Sequence, residues 1–206
     1  MESNLFINKL AMRLSEPLPG WHSQKELMPK SRKRFELPDL DRLHPASVLI
    51  ALFPQNNEWF FPLIKRTEDG FSHSGQIALP GGRKEGNETD AETALREAKE
   101  EVNIDPDAVK ILGTTSPLPI PVSMHLVQPF VGVLSSVPDF RPDPREVDDI
   151  FTVPINDLTR TDIQYEQWEF KSGVASVPFF EIQGNQIWGA TAMMLSEFRE
   201  LLNQIS

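Results

Sequence analysis

The segment Thr89-Asp90-Ala91-Glu92-Thr93-Ala94-Leu95-Arg96-Glu97-Ala98-Lys99-Glu100-Glu101-Val102-Asn103 constrains the fold more than any other, because both of its ends are written into it. Thr89 and Glu92 form a capping-box pattern, in which each side chain satisfies the other's backbone N–H, and Asp90 adds negative charge where the helix dipole favours it. At the far end Asn103 tolerates the left-handed conformation that closes a helix, and Pro106 pushes Asp105 out of helical space. A helix over Asp90 to Val102 is therefore expected. At about 100° per residue, Ala91, Ala94, Leu95, Ala98 and Val102 form one stripe facing a core. Glu97, Glu100 and Glu101 share another flank, turned away from it.

Carboxylates at i, i+3 and i+4 repel one another by about a few tenths of a kcal/mol per pair. A hard divalent cation held by several of their oxygens would reverse the sign of that interaction; the plainer reading is a solvated acidic face. The residues just upstream favour the cation. Gly81 and Gly82 let the backbone turn tightly and approach a ligand, so that a peptide carbonyl could join the same ion. Arg96 can reach Glu100 or Glu88 and hold the carboxylates through its forked donors, the alternative being a surface ion pair with Glu100 or Glu92.

Elsewhere the chain alternates strand and connection signals. Apolar residues at helical spacing over 3–14 predict an N-terminal helix, and Pro17 and Pro19 begin a loop. The runs 47–53 and 58–66 read as a hairpin turned by Pro54-Gln55-Asn56-Asn57, its second strand placed at an edge or bulged by Pro62. Further strands are expected at 109–114, 126–136, 149–155, 163–172 and 177–182, with a closing helix over 190–203 whose Met193 and Met194 read as core. Two or three helices flanking a mixed sheet is the simplest layering, and the whole of 1–206 reads as one domain, its N-terminal helix lying on or extending from a body at about 44–206.

Composition narrows the ligand. The net charge of −10 removes the long-range attraction on which nucleic-acid binding depends, so a phosphate ligand would need divalent cations. There is no cysteine, hence no disulfide and no thiolate metal site, which fits a cytoplasmic protein. His22, His44, His73 and His125 are far apart in sequence and read as loop or surface residues, so zinc is not expected. No run approaches the length of about 18 apolar residues needed to span a membrane.

Gly82, Glu88, Arg96-Glu97-Ala98-Lys99-Glu100-Glu101-Val102-Asn103-Ile104 resembles the Nudix box, G-x5-E-x7-R-E-U-x-E-E-x-G-U with U aliphatic, departing from it only where Asn103 replaces the late glycine. The resemblance implies a Nudix hydrolase of α/β/α sandwich fold that uses Mg2+ or Mn2+ to direct water onto a diphosphate. It implies Glu97, Glu100, Glu101 and the Gly81 carbonyl as metal ligands, with Glu97 also activating the water. Arg96 would orient Glu97, Glu100 would share in catalysis, and Gly82 and Glu88 would support the box against the substrate.

Upstream, PLIKRTEDGFSHSGQIALPGG resembles the extension that marks coenzyme A pyrophosphatases within that family: Arg66, Gly75, Pro80, Gly81 and Gly82 match, whereas Ile64, Thr67, Phe71 and Leu79 depart. The segments 119–134 and 187–195 are similar to downstream parts of the same subgroup. The resemblance therefore implies hydrolysis of coenzyme A to 3′,5′-ADP and 4′-phosphopantetheine, with Arg66 as a substrate contact. ADP-ribose or a dinucleoside polyphosphate is the alternative substrate, and a non-catalytic sensor is a third reading. Glu146 sits where many such enzymes carry a further acidic residue, or is a plain loop carboxylate. Trp188 and Phe71 read as core residues, with stacking on an adenine or lining a pantetheine channel as the functional alternative. The expected partner is a small diphosphate, with no nucleic acid or membrane involved; assembly as a homodimer stays open.

Overall fold

The computed structural model describes residues 2–29, 39–67, 75–170 and 173–205. Phe71 and His73 lie outside them. In chain order the elements are α1 (Glu2–Leu14), α2 (Trp21–Gln24), β1 (His44–Gln55), β2 (Glu58–Arg66), β3 (Ile77–Ala78), β4 (Gly81–Arg83) and α3 (Asp90–Val102). There follow β5 (Lys110–Thr114), β6 (Leu118–Ile120), β7 (His125–Val133), β8 (Val147–Pro154), α4 (Ile155–Arg160), β9 (Ile163–Phe170), β10 (Gly173–Ile182), β11 (Asn185–Trp188) and α5 (Gly189–Ile205).

β1 organises the molecule. Its alternate residues are buried on opposite faces: Leu49, Ala51 and Phe53 pack with Ala94, Ala98 and Val102 of α3, while Ile50 and Leu52 pack with Leu195, Phe198 and Leu201 of α5. A strand buried on both sides reads as a continuous apolar run, which is what Val48–Phe53 is. The result is the expected three-layer arrangement, with α3 on one face of the sheet and α1 and α5 on the other. The sheet is mixed: β1 runs parallel to β7 and antiparallel to β2 and β4.

The hairpin turns on Asn56 and Asn57, both at positive φ (52° and 62°), which suits a tight turn whose twist matches its strands. Pairing of β1 with β2 ends at Phe53↔Phe60, after which the strands part. Pro62, lacking a donor, therefore lies where β2 has only β8 beside it, and the bulge falls later, between Lys65 and Arg66. β9, β10 and β11 form a separate three-stranded sheet.

Two expectations need correction. Beyond the three long helices, two short ones (α2 and α4) appear, as do the short strands β3, β4, β6 and β11, too brief to leave a periodic signal. The α3 flank is also not turned wholly outward: Glu101 is 1% exposed, because the loop carrying Pro80 and Gly81 folds over the last turn of the helix. A second buried carboxylate, Glu197 of α5, is fully enclosed, accepting hydrogen bonds from the Gly20 N–H (3.0 Å), Gln24 Nε2 (2.8 Å), the Ser116 N–H (3.1 Å) and Ser116 Oγ (2.7 Å). Met193 and Met194 are buried, as expected. Among the described residues no helix is long and apolar enough to cross a membrane.

Candidate active site

The helix α3 forms as its sequence dictates. Thr89 and Glu92 complete the capping box, and Asn103 closes the helix in the left-handed conformation (φ 61°, ψ 30°), so the replacement of the usual glycine leaves the ending intact. This fixes which residues face the loop 81–88. β4 lies antiparallel to β1, with Gly81 opposite Val48; a methyl group at 81 would fall 2.3 Å from the Ser47 carbonyl oxygen. Only glycine permits that approach, and its φ of 155° adds to the requirement.

Arg96 is the hub of the site. Nε and Nη2 reach Glu88 (3.1 and 3.0 Å), Nη1 reaches Glu97 and Glu100 (both 2.9 Å), and Nη2 also donates to the Arg83 carbonyl (2.9 Å). All five N–H groups of the fork are thereby used. Both alternatives weighed for Arg96 hold at once: it grips Glu88 across the loop and Glu100 one turn on. Glu88 further accepts from Thr93 Oγ1 (3.0 Å) and the Glu85 N–H (2.6 Å), and the Arg96 guanidinium holds its carboxyl down to about 2.

Glu97 and Glu101 are in the opposite condition. Burial raises the Glu97 carboxyl, Arg96 opposes the shift, and the like charges of Glu100 and Glu146 add to it. Burial pushes Glu101 up to about 7 against the Gly81 N–H (2.8 Å) and Arg66 (3.2 Å), with Glu97 and Glu146 again repelling. Arg66 spans Glu101 and, at 3.9 Å, Glu146, whose side chain is half exposed. Four carboxylates thus face one another across the last turns of α3 and the loop 143–146. Glu97, Glu100, Glu101, Gly81, Gly82, Glu88, Arg66 and Glu146 are brought together.

Among the described residues no three acidic or histidine side chains close up into a metal shell. Glu97 and Glu100 are instead bonded to Arg96, and Glu101 to Arg66 and the Gly81 amide. The donor chemistry still fits a hard divalent ion. Every side-chain group is a carboxylate, and the desolvated, mutually repelling charges of Glu97 and Glu101 are what such an ion relieves.

Beside the carboxylates opens a cavity of about 630 Å3. Its described lining includes Arg66, Gly81, Gly82 and Arg83, the segment Leu118–Ser123, and Trp188, Thr191, Met193 and Met194. Trp188 is therefore a partly exposed wall residue and not a core one, packed edge-on against Trp168 (4.8 Å) and close to Phe170. Two histidines read as unrelated also converge. His44 and His125 are paired in the β1–β7 register with ring centroids 6.0 Å apart, and Arg83 Nε lies 2.8 Å from His125 Nε2. Spacing could not show this, because parallel pairing of distant strands leaves no local trace.

A sandwich carrying such a loop and helix defines a class, and the comparisons agree. The NUDIX domain model matches residues 43–172, and the chain belongs to the Nudix family of hydrolases, which are pyrophosphohydrolases. It is 34% identical over 177 residues to an uncharacterized Nudix hydrolase, NudL, of Pectobacterium atrosepticum, covering 80% of this chain and 88% of that one. Nudix hydrolase 15, mitochondrial, of Arabidopsis thaliana is 32% identical over 170 residues, covering 76% of this chain; the chain spans 59% of that relative's length. Among solved structures, the Nudix hydrolase RenU of M. smegmatis superposes with a TM-score of 0.57 at 17% identity, covering 79% of this chain and 88% of that one, a likeness of fold.

Proposed function

We propose that the whole chain acts as a single Nudix unit that hydrolyses the diphosphate of coenzyme A or its derivatives, giving 3′,5′-ADP and 4′-phosphopantetheine. The observation that carries this reading is the mixed lining of the cavity: Arg66, Arg83 and the backbone of Gly81 and Gly82 on the one hand, and apolar Leu118, Ile120, Val122, Trp188 and Met193 on the other. A diphosphate joined to a long, weakly polar chain suits a lining that offers both kinds of group.

In this reading Glu97, Glu100, Glu101 and the Gly81 carbonyl hold Mg2+ or Mn2+, which when bound neutralises phosphate charge and makes coordinated water more acidic. The chain's own contribution is proton transfer and positioning. Glu97 accepts the proton of the attacking water, its basicity raised by burial. Arg96 fixes the Glu97 rotamer by bonding it together with Glu88 and Glu100. Arg66 keeps Glu101 in place beneath the Gly81 amide and is itself part of the cavity lining.

A second reading, ADP-ribose or a dinucleoside polyphosphate, is favoured by Phe71, which stands where the coenzyme A pattern carries an arginine. The test is a panel of coenzyme A, ADP-ribose and diadenosine polyphosphates, each with Mg2+ or Mn2+. Coenzyme A is expected to give the highest kcat/KM. Should ADP-ribose exceed it by about tenfold, a difference of about 1.4 kcal/mol in transition-state binding, the second reading replaces the first.

A further inference from the structure

We propose that Arg83, steadied by His125, reads a phosphate monoester carried on the substrate in addition to its diphosphate, so that substrates bearing that phosphate are preferred over those lacking it. The inference rests on the reading of the substrate as a diphosphate of this class, and deepens it.

The first observation is direction. A methyl group at Gly82 would point into the Glu97 carboxylate, so the α3 side of β4 belongs to the catalytic carboxylates. Side chains alternate along a strand, and Arg83 accordingly leaves β4 on the other side, toward β7. There Nε donates to His125 Nε2 at 2.8 Å. A guanidinium cannot give up its proton, so the accepting nitrogen carries none, and His125 is held with its proton on Nδ1. The Arg83 side chain is aimed by one bond while both Nη groups, among the described residues, meet no acceptor.

The second observation is charge. Among the described residues only Arg83 and Arg160 of the arginines lack a carboxylate partner, and Arg160 lies well away, at the end of α4. The described walls of the cavity carry Arg66, Arg83 and His125 and no aspartate or glutamate, in a chain of net charge −10. Arg66 is already neutralised by Glu101 and Glu146. Among the described residues Arg83 is thus the one uncompensated arginine lining this cavity, and its two open Nη groups form the fork that binds a phosphate at two oxygens. It sits one residue, about 3.3 Å of strand, beyond Gly82. An anion held there would lie close to the diphosphate yet on the opposite face of β4 from Glu97.

The experiment compares coenzyme A with 3′-dephospho-coenzyme A as substrates, and adenosine 3′,5′-bisphosphate with AMP as competitive inhibitors, for the wild type, Arg83→Gln and Arg83→Lys. The wild type is expected to favour the phosphorylated member of each pair by tenfold or more, Arg83→Gln to reduce the preference to within about threefold, and Arg83→Lys to recover part of it. His125→Gln, whose amide oxygen can still accept from Nε, should retain more of the preference than His125→Ala. A preference unchanged in Arg83→Gln, or absent in the wild type, overturns the proposal. The inhibitor pair separates the two ideas. If coenzyme A is not hydrolysed but the bisphosphate still outcompetes AMP through Arg83, the coenzyme A reading falls and the phosphate site stands; if coenzyme A is hydrolysed and Arg83→Gln makes no difference, the reverse holds.

Discussion

Gly82 leaves the space in which the Glu97 carboxylate lies: a methyl group at position 82 would fall 2.4 Å from Oε1 and 2.5 Å from the carboxyl carbon. Gly82→Ala should therefore displace Glu97 without unfolding the chain, because the clash is with the end of a side chain that can turn away. We expect kcat to fall on the order of 100-fold with little change in the melting curve. A variant of normal kcat would mean that Glu97 need not occupy this position.

Glu97→Gln keeps the shape of the side chain and removes its basicity. If Glu97 accepts the proton of the attacking water, turnover should drop by on the order of 1,000-fold or more while circular dichroism is unchanged. Near-normal turnover in the folded variant would assign the base elsewhere.

Arg96→Lys retains the charge but not the fork. One ammonium cannot replace five directed donors, so Glu88, Glu97 and Glu100 would lose their shared partner. Stability should fall by about 1–3 kcal/mol in urea unfolding, and kcat by tenfold or more. An unaltered urea midpoint would show that the bonds to Glu88 contribute nothing net.

Glu101 gives a pH signature. Its folded-state carboxyl is raised to about 7 from an ordinary value of 4.5, so the native state holds a proton that the unfolded chain has released. For the metal-free protein this group's contribution is fully present below about 4.5 and is lost as the pH rises to about 7, a change of about 3 kcal/mol at most. With chelator present, wild type should weaken relative to Glu101→Gln between pH 5 and 7.5, as read by urea midpoints. Parallel pH profiles would show that Glu101 titrates normally, and divalent cation should flatten the wild-type profile.

The helix α3 was legible to the residue, because a capping box, a left-handed Asn103 and an alanine stripe are all local devices. The three-layer architecture followed from the mixture of strand and helix signals and from the family resemblance, whereas the burial of β1 on both faces was not read from its apolar run. Glu101 was misread as outward because helical periodicity places residues around an axis but says nothing of a loop folding over one end. Arg83 and His125 were not legible as a pair, since they meet only through the β1–β7 pairing, and Trp188 was legible only as the lesser alternative to a core residue. Glu197 hid for a related reason: a glutamate on an apolar helix reads as a solvent-facing break in the stripe until its donors, from residues 20, 24 and 116, are seen.

That last carboxylate has a wider reach than its distance from the chemistry suggests. Ser116, bonded to it, lies two residues before β6, and Leu118, Pro119 and Ile120 of β6 line the cavity; Gly20 and Gln24, bonded to the same two oxygens, belong to the segment after α1. The segment after α1 and this wall of the cavity are consequently moored to one anchor, so if the cavity takes the substrate, trimming the former should loosen the latter and register as weaker substrate affinity long before the fold gives way.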